Sequence, residues 1–541
     1  MFATSRIERP GFAVQRSVVM ARDGMVATSQ PLATEAGVSI LKKGGNAFDA
    51  AIATALTLGV VEPMSTGIGG DAFFLYSCAA DGKIYGVNGS GRCPRQLTLE
   101  ALQQRGIAGV PQRGLASVTV PGAVDAFCEV HQRHGALPFA DLCEAAIHYA
   151  SEGFPVSEII ASQWQRAVSL LSQYPTSART YLLDGKAPQP GDVHRQPNLA
   201  RTLRLLASEG REAFYRGEIA QRLVQFTQAN GGFFELEDFA NHTTEWVEPI
   251  RTDYRGHTVL ELPPNGQGIT ALIALNILEG FDLAAMEYGS AAYYHVLIEA
   301  TRQAFADRNR YVADPACAPV PIEGLLSKAY AAARRQEMAL DRAGDYGPGN
   351  PLPFSNTVYV SCVDRARNAV SLIHSVFEGF GSGVVAGDTG ICLQNRGAGF
   401  VADPAHPNVL APGKRPLHTI IPAMILRDGQ PWLCYGVMGA DMQAQGHVQV
   451  AINMIDFDMT VQEALEAPRY RTLGGRLVAL ERAIPHAVRH ALEAMGHELL
   501  PYGELPPGTP YGGGQAILID HARGVLQGGS DHRKDGCAIG Y

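Results

Sequence analysis

Residues 354–377 read FSNTVYVSCVDRARNAVSLIHSVF, and the junction between Asn356 and Thr357 is their most informative point. The twenty residues up to Asn356 are rich in Gly, Pro, Asp and Asn, a composition typical of an exposed loop. The residues that follow are rich in Val, Ile, Tyr and Ser, which predicts a strand from Thr357 and a second strand in NAVSLIHSVF.

A loop ending in Asn before a strand that begins with Thr suits an autocatalytic N-terminal nucleophile. In such an enzyme the Thr hydroxyl attacks the preceding carbonyl, and cleavage frees the α-amine of the same residue. That amine has an ordinary pKa of about 7.7–8.0 and can serve as the general base for the hydroxyl. Thr is also a common strand residue, so this dipeptide alone leaves both interpretations open.

Further along the chain, YGVMGADMQ predicts a strand, a tight turn at Gly439 and a helix that Asp441 can cap. Backbone N–H groups at the start of a helix favour negative charge, which is what an oxyanion hole requires. A plain strand-to-helix connection would look the same. The strand before it begins in a hairpin that we expect to turn at Asp428 and Gly429.

Toward the N-terminus, residues 32–43 predict a helix that Gly44 ends, and Asn46 is expected to cap a second helix with Asp49 at its third position. A glycine-rich turn then leads into a strand over residues 72–76. Helices and paired strands alternate along the chain without an obvious linker. The sequence therefore predicts an α+β protein rather than a string of separate domains.

The composition excludes several classes of protein. The chain has 541 residues, 44 basic and 53 acidic side chains and a net charge of −9, with no basic tail, so we expect no nucleic-acid partner. Its nine cysteines form no CxxC pair and its histidines show no ligand spacing, so we expect neither a metal nor a cofactor. No long apolar run is present, which predicts a cytoplasmic protein without a membrane anchor.

An ordered series of motifs resembles the γ-glutamyltransferase family of N-terminal-nucleophile hydrolases, from about residue 25 to the C-terminus. The motifs are PLATEAGVSILKKGGNAFDAAIATALTLGVVEPMSTGIGGDAFFLY (31–76), VPGAVDAF (120–127), ADRNRYVADP (306–315), NTVYVSCVD (356–364), FGSGVVAGDTGICLQN (380–395), PGKRPLHTIIP (412–422), QEALEAPRYR (462–471) and SDHRKDGCAIGY (530–541). Together they favour the nucleophile interpretation of Thr357.

The resemblance implies a four-layer αββα sandwich and self-cleavage between Asn356 and Thr357. Residues 1–356 and 357–541 would then form a large and a small subunit that stay together as one intertwined heterodimer, and further dimerisation is left open. It also implies Thr357 as the nucleophile and Ser375, where the family usually has Thr, as its hydrogen-bonding partner. Gly439 and Ala440 stand where a Gly-Gly pair forms the oxyanion hole, and Ala still supplies an N–H group.

The substrate-binding positions depart from the family. Transferases hold the glutamyl α-carboxylate with an Arg and a Ser-Ser pair, and the α-amino group with an Asn and an Asp. Here Ser90 stands at the Arg position, with Arg92 two residues away, and His418 and Thr419 replace the Ser-Ser pair. Phe377 replaces the Asn, and Gly399 replaces the Asp. Losing a charged partner for a buried ammonium removes a bond of about 1.5–3 kcal/mol, so we expect γ-glutamyl compounds not to be the natural substrate.

The sequence thus predicts an amide hydrolase that binds a small carboxylate-bearing amide. We expect Arg92, Arg396 and His418 to form an anion site, with Phe377 narrowing the pocket. Among relatives with the same changes, the chain resembles the oxamate amidohydrolases of purine-nitrogen catabolism. The alternatives are a γ-glutamyltransferase or glutathione hydrolase, a β-lactam side-chain acylase, and an uncleaved relative that serves as a binding or structural protein.

Overall fold

The computed structural model describes Phe12, Val14 and residues 16–346, 357–501 and 511–541. Asn356, on the large-subunit side of the predicted cleavage point, lies outside the described residues. Thr357 lies within them, directly before a strand.

Most of the described strands belong to two seven-stranded antiparallel sheets. In chain order the strands are β1 (Val19–Ala21), β2 (Met25–Thr28), β3 (Asp71–Cys78), β4 (Lys83–Gly89), β5 (Phe154–Pro155), β6 (Val193–His194), β7 (Glu245–Val247), β8 (Ile250–Tyr254), β9 (His257–Glu261), β10 (Val358–Val363), β11 (Ala369–Ser375), β12 (Ala423–Arg427), β13 (Gln430–Met438), β14 (Tyr470–Gly474), β15 (Leu477–Leu480), β16 (Glu498–Leu499), β17 (Gly513–Asp520), β18 (Val525–Ser530) and β19 (Cys537–Gly540). The first sheet has the order β1-β18-β17-β13-β12-β9-β8, and the second has the order β19-β2-β10-β11-β3-β4-β7. Three further strands form β14-β15-β16, and β5 pairs with β6.

The helices lie between these strands in the chain. They are α1 (Pro31–Lys43), α2 (Ala47–Val61), α3 (Leu99–Gln104), α4 (Ala123–His134), α5 (Phe139–Glu152), α6 (Glu158–Arg166), α7 (Val168–Leu171), α8 (Pro175–Tyr181), α9 (Pro197–Glu209), α10 (Arg211–Tyr215), α11 (Glu218–Ala229), α12 (Leu236–Ala240), α13 (Gly268–Leu278), α14 (Ala291–Tyr311), α15 (Ile322–Leu326), α16 (Lys328–Gln336), α17 (Met442–Ile455), α18 (Val461–Glu466) and α19 (His486–Ala494). Short 3₁₀ turns occur at Leu115–Ser117 and Arg396–Gly399.

Three hydrophobic clusters define four layers. Phe73 and Ile373 of the second sheet pack against Met424 and Ile517 of the first sheet, so the two sheets lie face to face as the inner layers. Helices α1, α2, α4 and α5 cover the outer face of the second sheet. Helices α13, α14 and α17 cover the outer face of the first sheet. The predicted αββα sandwich is therefore confirmed.

The local signals in the sequence explain the elements nearest the N-terminus. Gly44 ends α1 with a φ of 104°, in the left-handed region that glycine tolerates. Asn46 caps α2, and the carboxylate of Asp49 accepts a hydrogen bond from the backbone N–H of Asn46, as the sequence predicts. Every residue of α2 is buried because α1, α4, α5 and the second sheet surround it. No helix in the described ranges combines the length and apolarity needed to cross a membrane.

Candidate active site

Three neighbouring strands of the second sheet bring the first site residues together. Strand β10 pairs with β11 in a register that sets Val358 opposite His374, so Thr357 stands opposite Ser375. Strand β11 pairs in turn with β3, where Ser375 faces Asp71. All three residues lie at the same end of the sheet, and all are buried.

The hydroxyl groups of Thr357 and Ser375 are in hydrogen-bond contact. Thr357 Oγ1 lies 3.1 Å from Ser375 Oγ. Ser375 Oγ also accepts hydrogen bonds from the Phe377 N–H at 2.8 Å and from Arg396 Nη2 at 3.4 Å. Either hydroxyl can be the donor in the contact between Thr357 and Ser375. The swap from Thr to Ser at this position thus keeps a hydroxyl beside the predicted nucleophile.

Arg396 is a buried cation next to this pair. Its Nη1 donates to Thr419 Oγ1 at 2.8 Å, and its guanidinium carbon lies 4.1 Å from the centre of the Phe377 ring. Burial lowers the pKa of Arg396 to about 9, while the carboxylates of Asp71 and Glu378 oppose that shift. The side chain is therefore still charged at neutral pH.

The guanidinium of Arg396 has no direct counter-ion among the described residues. No carboxylate there comes within ion-pair distance of it, and its Nε has no hydrogen-bond partner. A buried charge without a partner is costly, so such a group is a strong indication of a ligand-binding role. The arrangement fits an anionic ligand beside Thr357.

His418 takes part in the site as a neutral group. Its Nε2 lies 2.9 Å from Asp71 Oδ2, and its Nδ1 accepts a hydrogen bond from the Ile420 N–H at 3.4 Å. Burial, followed by the charge of Arg396, lowers the pKa of His418 to about 3. The imidazole therefore contributes no positive charge to the predicted anion site at neutral pH.

Asp71 organises the backbone around His418. Its second oxygen accepts hydrogen bonds from the N–H groups of Gly91 and Gly122 and from Gln394 Nε2, at 2.9–3.1 Å. Burial alone would raise the pKa of Asp71, but the His418 hydrogen bond and the charge of Arg396 bring it below its ordinary value. Asp71 is thus an ionised group that the sequence-based reasoning missed. An acidic residue at the head of an otherwise apolar strand was the available signal.

Two further predicted substrate ligands, Ser90 and Arg92, have partners of their own. Ser90 Oγ donates to Asn88 Oδ1 at 2.6 Å and accepts from Asn265 Nδ2 at 3.3 Å. Arg92 is partly exposed and forms an ion pair of 2.6 Å with Glu245. The contacts found for Arg92 lie outside the group formed by Thr357, Ser375 and Arg396, and its substrate-binding role stays a prediction.

Phe377 and Gly399 are two further positions at which the sequence departs from the family. Phe377 has a φ of 81°, a left-handed conformation that keeps its N–H on Ser375 Oγ and its ring over Arg396. A Cβ added at Gly399 would lie 2.8 Å from the Leu417 carbonyl oxygen. The backbone therefore leaves no room here for an Asp side chain unless it shifts.

Gly439 and Ala440 form the turn between β13 and α17. Their φ angles are 125° and 56°, and Ala440 is fully buried. Within the described part of the chain, no backbone carbonyl accepts a hydrogen bond from either N–H group. Two such donors are what an oxyanion hole requires, and that role remains a prediction for these residues.

Comparisons with known proteins find similar proteins over nearly the full length of the chain. The sequence profile of the family described as Gamma-glutamyltranspeptidase matches residues 33–541. The Glutathione hydrolase-like YwrD proenzyme of Bacillus subtilis (strain 168) is 42% identical over 95% of this chain and 98% of its own length. The Oxamate amidohydrolase proenzyme of Klebsiella pneumoniae is 35% identical over 96% and 98%. The crystal structure of cephalosporin acylase from Bacillus halodurans has 44% sequence identity and a TM-score of 0.92, covering 100% of this chain and 99% of that one.

Proposed function

The chain belongs to the gamma-glutamyltranspeptidase family, and on that premise we propose that it is a self-cleaving hydrolase of small carboxylate-bearing amides, with oxamate as the first candidate. Cleavage before Thr357 would give subunits of residues 1–356 and 357–541. Hydrolysis of oxamate would give oxalate and ammonia. The proposal keeps the expectation of a cytoplasmic enzyme of purine-nitrogen catabolism.

The observation that carries the proposal is the buried guanidinium of Arg396, which has no counter-ion within ion-pair distance among the described residues. A substrate carboxylate bound there would supply the missing counter-ion and an acceptor for Nε. Arg396 Nη2 contacts Ser375 Oγ, which in turn contacts Thr357 Oγ1. An acid group bound by Arg396 would therefore lie close to the amide carbonyl that Thr357 attacks. Oxamate, whose carboxylate is bonded directly to the amide carbon, has this geometry.

The residue at position 399 argues against a substrate with an α-amino group. Gly399 supplies no carboxylate to an ammonium, and its backbone lacks the space for one. The two described carboxylates whose charges act on Arg396 are already engaged, Asp71 by His418 at 2.9 Å and Glu378 by Arg113 at 2.8 Å, so neither is free to neutralise an ammonium. This supports an acyl group with a carboxylate and no amine.

The proposed reaction has two steps. The freed α-amine of Thr357 takes the proton from Oγ1 as that oxygen adds to the amide carbonyl, and the N–H groups of Gly439 and Ala440 stabilise the oxyanion. The carbonyl re-forms, the C–N bond breaks, and the proton passes to the leaving nitrogen. Water then adds to the ester with the amine again as base, which releases the acid and restores Thr357.

A second candidate is an acylase that removes a dicarboxylic side chain, and the similarity to the cephalosporin acylase favours it. The same guanidinium would then bind a carboxylate at the far end of the acyl chain. A third candidate, glutathione hydrolysis, rests on the relative at 42% identity.

The first test is an intact-mass spectrum of the purified protein beside Thr357→Ala and Thr357→Ser variants. We expect two fragments that break before Thr357, a single uncut chain for Thr357→Ala, and cleavage in Thr357→Ser because its hydroxyl is kept. A wild-type chain that stays whole would contradict the proposed maturation and favour a non-enzymatic relative.

The second test compares oxamate, a γ-glutamyl anilide and a glutaryl amide as substrates of the cleaved protein. Release of ammonia from oxamate at the highest kcat/KM would support the first candidate. No ammonia from oxamate would overturn it, and the preferred compound among the other two would identify which alternative holds.

A further inference from the structure

Gln267 is a fully buried side chain whose three hydrogen bonds connect the parts of the site. Its Nε2 donates to the Thr419 carbonyl at 2.8 Å and to the Ala440 carbonyl at 3.0 Å. Its Oε1 accepts a hydrogen bond from Arg308 Nη1 at 2.7 Å. One amide therefore joins the segment that binds Arg396 to the turn that carries the predicted oxyanion donors.

Arg308 holds the same turn from its other side. It is buried on α14, and its Nη1 lies 2.5 Å from Asp441 Oδ1. Asp441 follows Ala440 directly and makes no capping hydrogen bond to α17, since its carboxylate faces Arg308 instead. Gln267 and Arg308 thus fix the Ala440 carbonyl and the next side chain together.

Ala440 needs such support because of its backbone conformation. Its φ of 56° lies in the left-handed region, which a Cβ disfavours, and the family resemblance implies a glycine at this position. An oxyanion donor is effective only while its N–H keeps one direction throughout the reaction. A residue that would otherwise favour another conformation therefore requires external hydrogen bonds to hold it.

We propose that Gln267, supported by Arg308, is a positioning residue that holds Ala440 in the conformation needed to stabilise the oxyanion. This inference rests on the proposed function, because it takes Gly439 and Ala440 as the oxyanion donors. It adds to that function a group that never touches the substrate. Its loss should weaken binding of the transition state and leave binding of the ground state unchanged.

The test uses Gln267→Met, which keeps the length of the side chain and removes its hydrogen bonds. The matched control is Gln449→Met, because Gln449 is also a buried amide with backbone partners, on α17, but it binds Gln445 and Tyr470. For each cleaved protein we would measure kcat and KM with the best substrate of the panel, inhibition by its carboxylate product, and Tm. We expect kcat of Gln267→Met to fall by about 10- to 100-fold, with KM and product inhibition within about twofold of wild type.

Gln267→Glu provides a second variant if Gln267→Met does not fold. Its carboxylate keeps the size and the bond from Arg308, but it replaces the amide donor by an acceptor, so the same fall in kcat is expected. An unchanged kcat in either variant would overturn the proposal, as would an equal loss in Gln449→Met. A variant that folds but stays uncleaved would also overturn it, because Gln267 would then act in maturation. Failure of wild type on every substrate would instead count against the proposed function.

Discussion

Arg396 offers the sharpest test at the scale of a single residue. Arg396→Met should lower kcat/KM for a carboxylate-bearing amide by about 10- to 150-fold, equivalent to about 1.5–3 kcal/mol, through a higher KM. Stability should stay the same or rise, since a buried cation without a direct counter-ion is removed. Steady-state kinetics measures the expected loss in kcat/KM, and thermal unfolding measures the expected stability.

Arg92→Met is the matched control. The sequence places Arg92 in the same anion site, but the structure pairs it with Glu245 at 2.6 Å. We expect its kcat/KM to fall less than that of Arg396→Met, because Arg92 already pairs with Glu245. An equal loss in both variants would support the predicted binding role of Arg92. An equal loss with an uncharged amide in Arg396→Met would contradict the role of Arg396.

The same residues show how much of the site a sequence can predict. The family resemblance implied Ser375 as the partner of Thr357, and the hairpin of β10 and β11 explains why two residues 18 positions apart are in contact. Asp71, Gln267 and Arg308 act through partners more than 40 positions away, and no local pattern reveals such contacts. Their burial and pairing exist only once the two sheets have packed.

The packing of α1 on α2 yields a prediction at the scale of elements. A Cβ added at Gly37 would lie 2.2 Å from Thr54 Oγ1, so Gly37→Ala forces the two helices apart. Overpacking of this kind costs about 1–3 kcal/mol in the free energy of unfolding. The double variant Gly37→Ala/Thr54→Ala should recover part of that loss, which urea unfolding of all four proteins would measure. Strictly additive effects would show that the contact is not the cause.

Elements were predictable where their signals are local. The Asn46 cap and the turn at Asp428 and Gly429, with φ values of 52° and 75°, agree with the sequence. Asp441 was expected to cap α17, and this was wrong because Arg308 binds its carboxylate.

The C-terminal SDHRKDG turn (residues 530–536) is a second place where a local sequence pattern does not predict the structure. Its composition predicts a solvated surface, yet Asp531 and Lys534 are buried in ion pairs with Arg469 and Glu62. Each partner is distant in sequence, so composition alone cannot identify the pairing. A charged turn can therefore be part of the core when the fold brings the opposite charge to it.

At the scale of the whole molecule, buried histidines predict loss of stability in acid. Burial lowers the pKa of six of them to about 3 or 4: His194, His242, His374, His418, His447 and His497. An unfolded histidine has a pKa of about 6.5, so the unfolded chain binds more protons between pH 6.5 and 4. The stability from neutral burial is present above pH 6.5 and is lost as the pH falls. Carboxyl groups with raised pKa, led by Glu261, act in the opposite sense.

His194 is a suitable residue for testing how a buried neutral histidine changes stability in acid. It is distant in sequence from the site residues and packs against Trp164 with ring centres 4.8 Å apart. Neither of its ring nitrogens has a hydrogen-bond partner in the described part of the chain. His194→Phe should therefore stabilise the protein by about 2 kcal/mol more at pH 5 than at pH 8. Denaturant unfolding at the two pH values measures that difference, and an equal effect at both would show that His194 titrates normally.

The two predicted subunits should remain associated after cleavage because each sheet contains strands from both. Strand β10, which begins after Thr357, lies between β2 of the predicted large subunit and β11 of the predicted small subunit. Buried ion pairs also cross the boundary, including Glu62 with Lys534 at 2.8 Å and Arg308 with Asp441 at 2.5 Å. Since buried pairs are poorly screened, the cleaved protein should elute in size exclusion at the volume of Thr357→Ala, in low salt and in 1 M NaCl alike. The fragments should separate only in denaturant, and a native peak of the small subunit alone would contradict the interlocked fold.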